Sequence, residues 1–304
     1  MFDKKPTTID EQIKLLKKRG LIISDVNLAK NMLSKISYYR LGEYWFVMQN
    51  DKENHKFKPN SHFKNVVELY EFDEEIRLLL FSVISKIEIA LRTKLIYHLS
   101  HEVDPWWFQN FKLFKSSREL VKTLGGLEQE ISRTKDVTIK KHYKSHKDDE
   151  RFPPAWKSLE QTSFGALSKL YGNLKPCVKS KDTIAKKFGA VNHTYLPSWL
   201  QSIAQIRNFC AHHSRLWNRN LPGTVKLLKN PPNPWINKEE KVPKQHEFQK
   251  LYIHMTIMKY MLNTIQPNNT FRLQLFNLLK KYANIDENAL GMKVNWHEEP
   301  VWKS

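Results

Sequence analysis

Between Val66 and Leu91 an apolar side chain recurs every three or four residues, at Val66, Leu69, Phe72, Ile76, Leu79, Leu80, Val83, Ile87 and Leu91. This period places one continuous face of a long helix against a core. Asn60 or Ser61 can cap its start, and the pattern predicts its end near Ser100. No segment alternates with period two for long enough to build a sheet, so the chain is expected to be all-α.

Caps and breaks divide the rest. Thr8-Ile9-Asp10-Glu11 has the form of a capping box and Gly20 offers a stop, which predicts a short helix. Ser24 or Asp25 caps a second, carrying Leu28, Met32, Leu33 and Ile36 and running on into Ser37 to Trp45. The two are expected to form an N-terminal helical hairpin within residues 1–50. Polar residues from Asn50 to Pro59 separate it from a multi-helix core expected over residues 60–285. In that core Arg118 to Lys144 and Trp156 to Asn173 each read as helix, and Lys179 to Gly189 as a basic helical piece. Pro197 opens a further helix whose apolar positions Leu200, Ile203, Ile206 and Cys210 face inward. A loop at 220–246, rich in proline, asparagine and lysine, precedes helices at Phe248 to Ile265 and Phe271 to Tyr282. Residues 286–304 are left as a C-terminal tail.

The formal net charge is +19. Such a surface attracts polyanions before any specific contact forms, so nucleic acid or an acidic membrane surface is the class of partner it nominates. Insertion into a membrane is not expected, because the longest strongly apolar run, Leu78 to Ile84, is far too short to span a bilayer. The polar N-terminal residues carry no signal-peptide core, and Cys177 and Cys210 are the only cysteines. Two thiols in 304 residues make no disulfide framework, which fits a reducing cytoplasm.

The helix opened by Pro197 carries Arg207-Asn208-Phe209-Cys210-Ala211-His212. This resembles the signature of HEPN ribonucleases, an arginine and a histidine separated by four to six residues. The spacing alone is weak, since about one such match is expected by chance in a chain with twelve histidines. Position on the helix adds specificity: at about 100° per residue Asn208, His212, Arg215 and Arg219 form one polar stripe opposite the apolar face. Arg207 lies about 140° around the helix from His212, so its long side chain must reach across or meet a second copy of the motif from another subunit, and the spacing favours the composite, dimeric site. His212 can move a proton near neutral pH, and Arg207, permanently charged, can hold a phosphate and stabilise its transition state. Asn208 would orient the imidazole or the phosphate, while Arg215 and Arg219 would bind flanking phosphates. His213 is a second histidine at the same place and an alternative proton carrier.

Arg92 and His98 satisfy the same loose spacing, but Glu88 stands four residues before Arg92, and an intrahelical pair is the expected role. His98 with His101, and His142 with His146, have helical metal-ligand spacing without a third ligand in register, so no metal or other cofactor is assigned. Basic residues interleaved with rings, Lys140, Lys141 and Lys144 and then Lys186 and Lys187, can track a phosphate backbone. Trp106, Trp107, Tyr38, Tyr39 and Trp45 could stack bases, with packing in the core the expected use.

Longer stretches resemble the Abi-like abortive-infection proteins of the AbiD and AbiF type. They include Ile9-Asp10-Glu11-Gln12-Ile13, Ile36-Ser37-Tyr38-Tyr39-Arg40-Leu41, Ile87-Glu88-Ile89-Ala90-Leu91-Arg92-Thr93 and Pro153-Pro154-Ala155-Trp156. Ser163-Phe164-Gly165-Ala166-Leu167-Ser168-Lys169-Leu170-Tyr171 and Arg207 through Arg219 complete the match. The resemblance implies an all-helical fold with a HEPN-like core and a toxin-like ribonuclease that halts a bacterial cell under phage attack. It also implies a small noncoding RNA that restrains the enzyme. From these readings the expected activity is metal-independent cleavage of single-stranded RNA through the ribose 2′-hydroxyl, giving a 2′,3′-cyclic phosphate, by a homodimer. The competing expectation is a catalytically silent RNA-binding module.

Overall fold

The computed structural model describes residues 5–223, 225–237 and 249–303. Among them are thirteen α-helices and a single two-stranded ribbon, so the all-α expectation holds. The described residues divide into two compact units, one within Met1–Arg77 and Phe276–Ile285, the other within Leu78–Leu275 and Asp286–Ser304.

In the first unit α1 (Ile9–Lys18) starts on the expected capping box, with Thr8 and Glu11 bonded reciprocally. Helix α2 (Val26–Ile36) is capped by Asp25, whose carboxylate accepts from the Leu28 N–H. It does not run on to Trp45. Ser37, at φ +75°, ends it, and its hydroxyl accepts from the Arg40 N–H to start α3 (Tyr38–Trp45), so the expected hairpin is three helices. A serine that serves as both stop and cap has no signature in hydrophobic period, which is why the break is invisible there. Strands β1 (Gln49–Asp51) and β2 (Lys56–Phe57) then pair antiparallel inside the stretch expected to be loop.

The long helix is α4 (Phe63–Glu102), contributing residues to both units. Of its nine periodic apolar side chains all are buried except Leu79, which is half-buried. Within the first unit it also buries an ion pair one turn apart, Asp73 and Arg77, 0% and 4% exposed. Tyr44 donates to Asp73 Oδ2 at 2.8 Å and accepts from Arg77 Nη1 at 3.2 Å. Burial first, then the Asp73 charge, pushes the Tyr44 phenol well above its ordinary range, so it stays a neutral donor.

In the second unit the expected helix Arg118 to Lys144 is two, α5 (Ser117–Arg133) and α6 (Val137–Ser145), because Asp136 caps a new start. The expected Trp156 to Asn173 helix is likewise divided, into α7 (Ala155–Ser158), a 3-10 turn at Leu159–Gln161, and α8 (Phe164–Asn173) capped by Ser163. Then come α9 (Lys179–Lys186) and α10 (Leu196–Ala211) with its proline in the first turn. Helix α8 packs against both α5 and α10. The loop from Lys238 onward and the expected start at Phe248 lie outside the described residues, and α11 spans Leu251–Ile265. After α12 (Phe271–Lys281), residues 286–303 hold two 3-10 turns and α13 (Pro300–Lys303), with Trp296, Val301 and Trp302 buried.

Replacing Arg77 with Ala leaves the Asp73 carboxylate buried without its cation. We expect a loss of about 3–5 kcal/mol in urea unfolding; a variant as stable as the parent would show that the pair is not the keystone of its unit.

Candidate active site

Helix α10 is held by Trp199, Leu200, Ile203, Ile206 and Cys210, all buried, as the sequence pattern requires. Its other faces carry Arg207 and Asn208. Both line a cleft of about 520 Å³ walled by α5, α8 and α10, together with Glu119, Lys122 and Glu130 from α5 and Lys169 from α8. Arg207 is half-buried, its guanidinium carbon 5.8 Å from the centre of the Phe81 ring of α4, within reach of a cation–π contact. Its Nε is buried and has no hydrogen-bond partner among the described residues. A buried N–H left without an acceptor is costly, and the planar guanidinium that carries it is of the kind that binds phosphate or carboxylate. Lys122 is paired with Glu119 at 3.2 Å, whereas Lys169 is exposed and in no ion pair among the described residues.

The helix stops at Ala211, and how it stops corrects the expected stripe. His212 is the C-cap, His213 sits in the left-handed region at φ +54°, and two backbone bonds close the end: Ser214 N–H to Phe209 O at 2.9 Å and His213 N–H to Cys210 O at 3.2 Å. This is the Schellman arrangement, with histidine where glycine is usual. Arg215 and Arg219 therefore lie beyond the helix. Arg219 turns back over the Phe209 ring, 4.6 Å from its centre, and donates through Nε to the Arg215 carbonyl at 2.5 Å. Periodicity alone cannot reveal this, because the deciding bonds are backbone bonds made by whichever residue tolerates the left-handed region.

Arg207 and Asn208 thus share one cleft, while His212 and His213 stand exposed at the end of the same helix and do not line it. Lys140, Lys141 and Lys144 are exposed on α6, and Lys186 and Lys187 are exposed at the end of α9, Lys186 paired with Asp182 at 2.9 Å. None of these five lines the cleft. Lys169 does, and was missed; it sits in the Ser163 to Tyr171 stretch, where its position facing α10 follows only from the packing of α8. Arg92 takes the intrahelical role expected for it, 2.9 Å from Glu88, and also donates to the carbonyls of Leu159 and Thr162, each at 3.0 Å. Of the rings considered for stacking, Trp45 and Trp107 are buried, Tyr38 packs edge-on against Trp45 at 4.9 Å, Trp106 lies under the Arg151 guanidinium at 3.7 Å, and Tyr39 is 86% exposed. His142 and His146 stack on each other at 4.5 Å. Among the described residues no group of three His, Cys, Asp or Glu side chains is placed to hold a metal ion. Nor is any helix among them long and apolar enough to cross a membrane.

By contrast, a cleft of about 510 Å³ in the first unit is lined by Glu68, Glu71, Glu74 and Glu75, an arrangement that repels a polyanion. The cleft on α10 carries cations where the other carries carboxylates, and the molecule is an all-helical protein with an arginine–histidine motif at the end of a core helix. It belongs to the Abi-like protein family, whose model matches residues 31–218, from within α2 to beyond the end of α10. Membership supports a part in abortive infection. Neither a curated protein nor a solved structure matches the chain.

The left-handed backbone at His213 yields a direct check. His213→Gly should be more stable than His213→Val by about 1–2 kcal/mol in thermal melts, since only the glycine adopts that conformation freely. Equal stabilities would mean the helix ends elsewhere.

Proposed function

We propose that this chain is a HEPN-type endoribonuclease of the AbiD/AbiF kind, acting on single-stranded RNA in abortive infection under the restraint of a small noncoding RNA. What carries the reading is Arg207: a half-buried guanidinium with an unsatisfied buried N–H, opening on a cleft, five residues before an exposed histidine at the helix end.

The chemistry asked of these groups is modest. A base takes the proton of a ribose 2′-hydroxyl, whose oxygen attacks the adjacent phosphorus. The bond to the 5′-oxygen breaks, and a proton goes to that oxygen, leaving a 2′,3′-cyclic phosphate and a free 5′-hydroxyl. His212, with His213 as the alternative, moves the protons, and Arg207 holds the phosphate oxygens as charge builds on them. Asn208 orients the phosphate from the cleft. Arg215 and His213, on the segment after the helix, and Lys169 take flanking phosphates; Arg219, folded on Phe209, acts through that segment's shape.

His212 does not reach the cleft that Arg207 lines, which favours a homodimer in which each site draws Arg207 from one subunit and His212 from the other. The same observation favours the silent RNA-binding module as the second reading, and one experiment separates them.

In EDTA, His212→Ala and Arg207→Ala should each lower cleavage of a labelled single-stranded RNA by about 100-fold or more, with cyclic phosphate as the parent's product. Undiminished cleavage by folded His212→Ala removes the assignment, and RNA binding without cleavage by the parent establishes the silent module. Mixing the two inactive variants should restore part of the activity, because a mixed dimer holds one intact composite site; no recovery from a mixed dimer refutes the shared site.

A further inference from the structure

The end of α4 and the end of α9 bring together four cationic or potentially cationic groups that the cleft does not use. Helix α9 is fastened to α4: both Glu102 carboxylate oxygens accept from its first two N–H groups, Lys179 at 2.9 Å and Ser180 at 2.6 Å. The Ser180 hydroxyl donates to the His98 carbonyl at 3.1 Å. Glu102 is thereby committed to a helix start, and Asp182 of α9 is paired with Lys186 and His193. Among the described residues Lys94, His98, His101 and Lys187 are left without a carboxylate partner.

Cations at helix ends are ordinary, since the macrodipole favours them there. Lys94 is not at an end; it lies two turns before the last residue of α4, half-buried, its ammonium 5.7 Å from the centre of the buried Phe188 ring. Burial, and next the Lys187 charge, hold the Lys94 ammonium below its ordinary value. His98 is lowered for the same first two reasons, with Lys94 and His101 adding to them. A cationic cluster that is partly desolvated and unneutralised is destabilising unless something anionic binds it. Beside it stands a ring with no core to fill. Tyr97 is 59% exposed, with the imidazoles of His98 and His101 edge-on to it at 5.1 and 4.6 Å.

We propose that this patch is a second RNA contact, in which a base stacks on Tyr97 and the adjoining phosphates lie on Lys94, His98 and Lys187. The exposed ring among the cations is what selects single-stranded RNA over an acidic protein, which offers charge without a base to stack. At about 1.5 Å and about 100° per residue Tyr97 lies about 24 Å along α4 from Phe81, the ring beneath Arg207, and about 160° around its axis, so a strand reaching both winds around the helix. A strand reaching both would be positioned by the patch and cut at α10. The inference rests on RNA being the ligand of the proposed ribonuclease, and not on cleavage itself.

The test uses the full chain carrying His212→Ala, so that RNA stays intact, and follows fluorescence anisotropy of a labelled single-stranded RNA at several salt concentrations. Adding Tyr97→Ala should weaken binding by about 5- to 150-fold, the loss of one stacked base, while Tyr97→Phe should keep it. Adding Lys94→Met with Lys187→Gln should weaken binding and lower the salt slope by about 1.4, two phosphate contacts on a single strand. Tyr97 and Lys187 are exposed, and circular dichroism checks that the variants fold. Affinity and slope equal to the background overturn the proposal. So does a response to the lysine changes without one to Tyr97→Ala, which describes a patch that reads only charge. Cleavage by the parent decides the other reading independently: a parent that cuts RNA with an inert Tyr97 sinks the patch alone, and a parent that binds through Tyr97 but never cuts sinks the nuclease alone. No RNA binding by the background sinks both.

Discussion

One guanidinium holds the frame on which the α10 cleft depends. Arg92, half-buried on α4 and paired with Glu88, donates to the carbonyls of Leu159 and Thr162. Those two carbonyls close the 3-10 turn that leads into Ser163, and Ser163 caps α8. Helix α8 in turn packs on α10 and α5, so the walls of the cleft beside Arg207 stand on that junction. The planar guanidinium reaches both carbonyls at once, adding to the bond that Leu159 O accepts from the Thr162 N–H.

The helix end has the same economy. A Schellman motif closes α10 at the residue pair His212 and His213, so the element that presents the motif also terminates on it. The imidazole of His212 is then displayed on a backbone held by bonds on both sides, outside the cleft that Arg207 enters. Separation of the two groups is a property of the helix termination as much as of the five-residue spacing.

Much of the architecture was legible because burial leaves a period. The nine apolar positions of α4, the inward face of α10 and the capping box at Thr8 all follow from side chains whose spacing matches the helix. What was not legible were the interruptions. Ser37, Asp136 and Ser163 each start a helix inside a stretch of unbroken helical pattern, and each does so through one side-chain hydrogen bond to the backbone. Around the α10 cleft the same distinction holds: Arg207 and Asn208 follow from the pattern of their own helix, whereas Lys169 needed the packing of α8.

The sequence by itself therefore determined the class of fold, the helix that bears the motif and the pairing of Glu88 with Arg92, because each depends on residues within a few turns of one another. Only the tertiary structure decided that Arg207 opens on a cleft with an unsatisfied N–H and that Arg219 folds back on Phe209. It also decided that Glu102 caps α9 and that Asp182 pairs with Lys186 and His193. These are outcomes of which groups from distant segments compete for the same partner, and that competition leaves no trace in spacing.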